Sequence, residues 1–146
     1  MKPRAFAITA AALALGTVLA IFVPASPAVG FFSPPLLLDV QIQPTATVVA
    51  RGAAVEARVE VTCAGASYAY VNLGITQRVG SEVASGGTST QVACGPQRQT
   101  LLMLVTAQSG KAFRKGTAVA EAYISGCAPN GPCGSETDTA TIDITQ

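Results

Sequence analysis

The sequence predicts an all-β fold, an antiparallel β-sandwich of seven or eight short strands. Three observations support it. Apolar and polar residues alternate with a period of two in several segments. Turn signals rich in glycine, serine and proline separate those segments at intervals of about ten to fifteen residues. No segment after residue 28 has the periodicity of an amphipathic helix. A small closed barrel is the alternative arrangement of the same strands.

The clearest strand is VEARVEVTC, residues 55–63, in which the valines and Cys63 fall on one face and the charged residues on the other. The same alternation is present in YVNLGITQRV, AVAEAYI and TATIDIT. The segment TLLMLVTA, residues 100–107, is apolar on both faces, which is typical of a central strand. Weaker strands are predicted near residues 38–43, 46–50 and 88–94, and turns at residues 50–52, 63–67, 85–87, 94–97 and 108–111.

The first 28 residues have the pattern of a secretory signal peptide. Lys2 and Arg4 precede an uncharged segment from Ala5 to Val23, and small residues follow at the spacing that a signal peptidase recognises, with cleavage expected after Ala28. An uncleaved anchor is the alternative, since 19 apolar residues are long enough to cross a bilayer. Residues 29–37, which contain two prolines, are predicted to be an extended entry segment, and residues 38–146 the β-sandwich domain.

The composition argues against several classes of partner. Removal of Lys2 and Arg4 leaves seven basic and eight acidic residues, a nearly neutral domain. We therefore expect no binding to nucleic acid and none to a membrane after signal removal. The expected location is extracellular, and the expected partner is an extracellular protein or a small molecule, of unknown identity.

The sequence lacks the parts of common catalytic and metal sites. It contains no histidine, which excludes Ser-His-Asp and Cys-His arrangements and argues against a structural zinc site. Glu136 and Asp138 are a weak candidate for calcium, because the dense spacing of oxygen ligands is missing. We expect a non-catalytic protein without a metal or other cofactor.

All four cysteines lie in the exported part of the chain. An even number in a small secreted domain predicts two disulfides, and four cysteines allow three pairings. We expect Cys127–Cys133, which would close the loop of CAPNGPC, together with Cys63–Cys94. On chain entropy, closing the longer loop contributes about 3.7 kcal/mol and closing the shorter about 2.4 kcal/mol.

The strand order, the length and the cysteine on the second predicted strand resemble a bacterial immunoglobulin-like sandwich over about residues 38–146. The chain is also similar to uncharacterised small secreted proteins of actinobacteria. The antibody-domain tryptophan and the Tyr-x-Cys of the sixth strand are absent. The resemblance implies that all four cysteines lie at one end of the sandwich, where they brace three loops. It also supplies a rival pairing, Cys63–Cys127 with Cys94–Cys133, which would copy the bridge between strands of antibody domains.

A weaker resemblance is to neocarzinostatin-type apoproteins, which are secreted sandwiches with two disulfides, one of them closing a short loop late in the chain. CAPNGPC corresponds to that loop, whereas the longer separation of Cys63 from Cys94 departs from the family's short first loop. The resemblance implies a small-molecule carrier, and no ligand residues are transferred from it.

The outward face of the predicted sheet offers candidate binding residues. Tyr70, Arg78 and Tyr123 are predicted to point outward, and tyrosine and arginine are common at interfaces. The same tyrosines could instead be cross-strand pairs that only stabilise the sheet. The leading hypothesis is a binding or cell-envelope module, and the carrier is the alternative. A cavity above about 300 Å³ near the braced loops would favour the carrier.

The mature protein is predicted to begin near Val29. N-terminal sequencing of protein recovered from the culture medium tests this prediction. Recovery in the membrane fraction alone, with Met1 still present, would contradict it.

Overall fold

The computed structural model describes residues 35–108 and 110–146. These residues form five β-strands and one 3₁₀ turn, Ala50–Gly52. The described part of the chain contains no helix long and apolar enough to cross a membrane. The predicted all-β class is confirmed, whereas the signal peptide and most of the entry segment lie outside the described residues. The strands are β1 (Leu37–Val49), β2 (Ala54–Val79), β3 (Glu82–Thr106), β4 (Gly116–Cys127) and β5 (Cys133–Thr145).

The strands form one sheet that closes on itself. Their order is β1-β5-β4-β2-β3, and β1 also pairs with β2, so β1, β5, β4 and β2 form a small barrel with β3 as an extra strand. All pairings between these strands are antiparallel except that of β1 with β5, which is parallel over Thr45–Thr47. The entirely antiparallel arrangement that the sequence predicts is therefore wrong at this one contact.

Two of the five strands are unusually long, because each joins two of the predicted strands, so the structure has five strands where seven or eight are predicted. β2 has 26 residues and β3 has 25. The predicted turns at residues 63–67, 85–87 and 94–97 all lie inside these strands. Residues 85–87 pair regularly with residues 74–76, whereas near residues 63–67 and 94–97 the two strands change register between Val61 and Tyr68 instead of ending. The chain reverses at Gly80, whose φ of +66° suits a glycine.

The register changes divide β2 and β3 into halves with different neighbours. The first half of β2, residues 54–63, pairs with β1 and with the second half of β3, residues 99–106. The second half of β2, residues 68–79, pairs with β4 and with the first half of β3, residues 82–93. β2 and β3 thus each belong to two groups of strands.

The core consists of the inward residues of the alternating segments. Val55, Val59 and Val61 of β2 have no exposed surface, as the alternation predicts. Phe113, in the loop before β4, is the largest fully buried side chain of the described residues. The remaining core side chains of the later strands are small or branched, and they are Ala118, Ala120, Ala122, Ile124, Ile142 and Ile144.

The segment 100–107 is not the central strand that its apolar composition predicts. It lies in β3 at the end of the strand order, and it pairs with β2 on one side. Met103 and Val105 point inward and are buried, whereas Leu102 and Leu104 are 58% and 52% exposed. The prediction is wrong because the apolar side chains on the outer face of this segment are exposed, without a layer of the described residues over them.

Gln77 is a buried polar residue that ties down the loop before β4. The residue is 3% exposed, and its Nε2 donates to the Arg114 carbonyl at 2.7 Å. Its Oε1 accepts a hydrogen bond from the Arg114 amide at 2.8 Å. The Phe113 amide donates to the Gly52 carbonyl at 2.8 Å, which fixes the same loop against the 3₁₀ turn. These bonds hold Phe113 in the core.

Gln77→Leu is expected to lower the free energy of unfolding by about 1–3 kcal/mol, because the polar groups of the Arg114 backbone lose their partner. Urea unfolding under oxidising conditions measures the change. Gln91→Leu, on an exposed position of β3, is the control and should change stability by less than about 0.5 kcal/mol. Equal stability of the two variants would show that the Gln77 bonds are not needed.

Candidate functional site

The two disulfides have the predicted pairing, Cys63–Cys94 and Cys127–Cys133. Their Cα atoms are 4.9 Å and 3.9 Å apart, below the upper limit of about 7 Å for a disulfide. The rival pairing that copies antibody domains is therefore wrong. Cys127 and Cys133 are opposite each other at the ends of β4 and β5, where a hairpin brings them together.

Both disulfides lie at the end of the fold where β1 begins. Leu38, near the start of β1, is the register partner of Cys63. Gly134, the neighbour of Cys133, also lies beside Leu38, because a Cβ atom added to Gly134 would be 3.7 Å from a methyl carbon of Leu38. The Cys63–Cys94 bridge connects the points where β2 and β3 change register. Cys127–Cys133 closes a tight loop in which the Ala128 amide donates to the Pro132 carbonyl at 3.0 Å.

A groove of about 560 Å³ lies on the outer surface beside the Cys127–Cys133 loop. We call it the tyrosine groove, because it is lined by all three tyrosines of the chain. Its walls come from the second half of β2, from β4 and from β5. The lining residues are Ser67, Tyr68, Tyr70, Tyr123, Ser125, Gly126, Cys127, Pro129, Cys133, Gly134 and Ser135.

The register of the strands places the tyrosines side by side. Tyr70 is the register partner of Ser125, which is the partner of Ser135. Tyr123 occupies the next outward row, between Asn72 and Thr137. Because residues two apart on a strand share a face, these outward rows form one continuous surface.

The tyrosine rings are available to a ligand. Tyr68 and Tyr70 are each 50% exposed, and Tyr123 is 40% exposed. The rings of Tyr68 and Tyr70 meet edge to face, with centroids 5.7 Å apart and an angle of 84° between their planes. This geometry is a favourable one for aromatic pairs, so the two rings stabilise each other's orientation.

The groove is electrically neutral along its lining. None of the lining residues is aspartate, glutamate, lysine or arginine. The polar groups that it offers are hydroxyls of serine and tyrosine together with backbone groups, and the rest of the wall is ring, proline and disulfide. Such a surface favours an uncharged ligand that has both apolar faces and hydrogen-bonding groups.

The structure brings together two of the three predicted binding residues. Tyr70 and Tyr123 both line the groove, whereas Arg78 lies eight residues beyond Tyr70 on β2, a distance of about 26 Å along an extended strand. Arg78 is the register partner of Val83 beside the β2–β3 turn. The grouping of Arg78 with the tyrosines is not supported by their positions.

Sequence reasoning misses Tyr68. The turn predicted at residues 63–67 places the start of the next strand at Tyr70, so Tyr68 is left out of the candidate site. The signal is present in the spacing, since Tyr68 and Tyr70 are two residues apart and therefore share a face of any strand that contains both.

The acidic residues form no metal-binding group in residues 35–108 and 110–146. An Asp138 carboxylate oxygen accepts a hydrogen bond from the Ile42 amide at 2.8 Å, where β5 and β1 approach each other. Glu136 is exposed on β5. Of the two weak candidates for calcium, Asp138 therefore makes a structural hydrogen bond and Glu136 lies on the surface. The absence of a required metal stays a prediction.

A second depression, of about 680 Å³, is lined by residues 48–52, 112–115 and Gln146. Arg51, Arg114 and Lys115 make it basic. Its walls are mostly the 3₁₀ turn and the loop before β4, whereas the tyrosine groove is built on three paired strands. Strands hold side chains in more fixed positions than loops do, so the tyrosine groove is the better candidate site.

No family model and no curated protein matches the chain. Among solved structures, the chain is similar to the crystal structure of Spo0M, a sporulation control protein from Bacillus subtilis, with 11% sequence identity and a TM-score of 0.33. The alignment covers 76% of this chain and 49% of that chain, so the chain spans about half the length of Spo0M. A likeness this low carries no argument about fold or function.

Replacement of both Cys127 and Cys133 by serine is expected to lower the free energy of unfolding by about 2.4 kcal/mol and to weaken the near-ultraviolet circular dichroism of the tyrosines. The loop that walls the groove would gain freedom, and the rings beside it would lose their fixed surroundings. Cys63→Ala with Cys94→Ala is compared for stability only and should lose more, about 3.7 kcal/mol. A tyrosine signal that is unchanged in the serine variant would show that the loop does not shape the groove.

Proposed function

We propose that the protein is a secreted, non-catalytic binding module of immunoglobulin-like type that holds an uncharged ligand in the tyrosine groove. The observation that carries the proposal is the convergence of every tyrosine in the chain on one exposed groove. The chain contains no tryptophan, so these rings are its largest amphipathic side chains. Cross-strand stabilisation alone would not require all three at one place.

The pairing of strands supports an immunoglobulin-like sandwich. β1, the first half of β2 and the second half of β3 form one antiparallel group, as strands A, B and E do in such domains. The second half of β2, the first half of β3, β4 and β5 form the other group, corresponding to strands C, C′, F and G. The tyrosine groove would then lie on the outer face of the second group.

Secretion is supported by two independent features. Residues 1–28 have the composition of a signal peptide. The two disulfides indicate an oxidising environment, as expected for an extracellular protein. With the charges nearly balanced and no catalytic combination in the sequence, a binding role in the medium or in the cell envelope accounts for these features better than an enzymatic one.

The lining of the groove defines the chemistry of the ligand. An oligosaccharide presents apolar C–H faces that can stack on tyrosine rings, and hydroxyls that can bond to Ser67, Ser125 and Ser135. A charged ligand would find no counter-charge in the lining. We therefore propose a neutral oligosaccharide as the ligand. Binding of an uncharged peptide instead would change the proposed class of ligand.

A small-molecule carrier of neocarzinostatin-like type is the second candidate function. The groove volume of about 560 Å³ lies within the range of small-molecule sites and exceeds the value of about 300 Å³ that favours a carrier. The core beneath it is filled, since the inward residues Val71, Leu73 and Ile75 are at most 1% exposed. A carrier of this kind would hold its cargo on the surface rather than inside the fold.

Binding to the groove should change the intrinsic fluorescence of the protein, because that fluorescence comes mainly from Tyr68, Tyr70 and Tyr123. We expect a saturable change on titration with neutral cell-wall or exopolysaccharide fragments. Tyr123→Ala should weaken binding about ten-fold, corresponding to the loss of about 1.4 kcal/mol of stacking.

The matched control is Thr76→Ala, which lies on the same outward face of β2 as Tyr70 but outside the groove. It should bind with the affinity of the unmodified protein, as measured by calorimetry. Saturable binding that is equally strong in Tyr123→Ala and Thr76→Ala would place the ligand elsewhere. Binding of uncharged peptides but not of oligosaccharides would preserve the site and change the ligand class, and no binding of either would contradict the proposal.

A further inference from the structure

The second half of β3 has an open edge. Residues 99–106 pair with β2 on one side, and no described residue pairs with their other side between Gln99 and Val105. Next to this segment, Gly86 forms an isolated bridge with Ala107, which closes the edge at that point. Within the described residues, the backbone groups along the open stretch are therefore left available to another strand.

This edge lacks the features with which proteins usually prevent edge-to-edge association. From Thr100 to Ala107 the chain has no charged residue, proline or glycine. The first strand, in contrast, contains Asp39 and Pro44, and the first half of β3 contains Gly86 and Gly87. The register changes in the described pairing of β3 with β2 all precede Gln99, so the segment is also free of a bulge.

The sequence of the edge is nearly symmetric about its centre. It reads TLLMLVT from Thr100 to Thr106, with Met103 in the middle. In an antiparallel pair of two such segments centred on Met103, Thr100 would face the second copy's Thr106. Leu102 would likewise face the second copy's Leu104. In every facing pair, threonine would thus meet threonine and an apolar residue would meet an apolar residue, which suits an isologous interface.

The exposed surface agrees with this symmetry. Leu102 and Leu104 are among the most exposed large apolar side chains described, at 58% and 52%. Both point to the outer face, where their register partners on β2 are Arg58 and Glu56. Pairing of two copies would place the four leucines in one patch of two cross-strand pairs and cover part of each.

We propose that two copies of the protein associate through residues 100–106, which pair antiparallel about a two-fold axis at Met103 and join the strand groups of both copies into one sheet. The proposal rests on the edge and its sequence, and it is independent of the tyrosine groove, which lies on other strands. The contact is short compared with the interfaces of permanent dimers, so association in the micromolar range or weaker is expected.

The test uses protein secreted by cells that express the full chain. Sedimentation equilibrium between about 1 μM and 1 mM should show a monomer–dimer equilibrium, because these concentrations bracket the affinity expected of a small interface. In hydrogen exchange on the unmodified protein, amides of residues 99–105 should gain protection as the concentration rises. A protein that stays monomeric at the highest concentration would overturn the proposal.

Two double variants test the register. Leu102→Glu with Leu104→Glu places like charges opposite each other across the two-fold axis and should weaken association at least ten-fold. Leu102→Glu with Leu104→Arg places opposite charges there, so association should be retained. Within each copy of the second variant, the new glutamate lies opposite Arg58 and the new arginine lies opposite Glu56, so the pairing with β2 is also favourable.

Both variants replace the same two exposed leucines with charged residues. In the first, the glutamate at position 104 also lies opposite Glu56 of β2, so thermal unfolding shows whether both variants are folded. Loss of association in the first and its retention in the second supports the proposed pairing. Equal association in both, or equal loss in both while they remain folded, would show that the copies meet in another way. If the first variant does not fold, the concentration dependence of hydrogen exchange in the unmodified protein decides the matter.

Discussion

The Cys63–Cys94 disulfide joins the two points at which the long strands change register, and much of the fold depends on this constraint. Cys63 is fully buried, so the bridge fixes the strands from the core side. Tyr68 follows Cys63 by five residues, and Gln99 follows Cys94 by five residues. One covalent bond therefore positions the start of the tyrosine groove and the start of the open edge, the two surfaces to which we assign roles.

The sequence is sufficient to predict which side of each strand faces outward, because side-chain direction follows a period of two. That rule correctly places Tyr70 and Tyr123 on the surface and the valines of β2 in the core. It does not predict strand neighbours, since pairing is a property of topology. For this reason the sequence alone puts Leu102 and Leu104 on a covered strand, and it groups Arg78 with Tyr70, which lies eight residues away on β2, and with Tyr123 of β4.

The residues of the described ion pairs do not line the tyrosine groove. Arg98 pairs with Asp39 at 3.4 Å and with Glu60 at 3.0 Å, on the group that contains β1. Lys111 pairs with Glu82 near the β2–β3 turn. Exposed pairs of this kind contribute only about 0–1 kcal/mol each to stability. The groove lining, in contrast, carries no charge, so a neutral ligand can displace water there without desolvating an ion.

The two proposed surfaces lie on different strand segments, so the use of one does not consume the other. A dimer formed through residues 100–106 would carry two tyrosine grooves. If the tyrosine groove binds an oligosaccharide as proposed, a groove of this size that is open on one side is expected to bind a single short segment weakly, since few of its contacts are fully enclosed. Two linked grooves convert the second binding event on a repetitive polymer into an intramolecular one, which raises the apparent affinity without any new contact. Weak self-association and weak binding would then reinforce each other on a polymeric surface, because the polymer raises the local concentration of the protein and so favours the dimer.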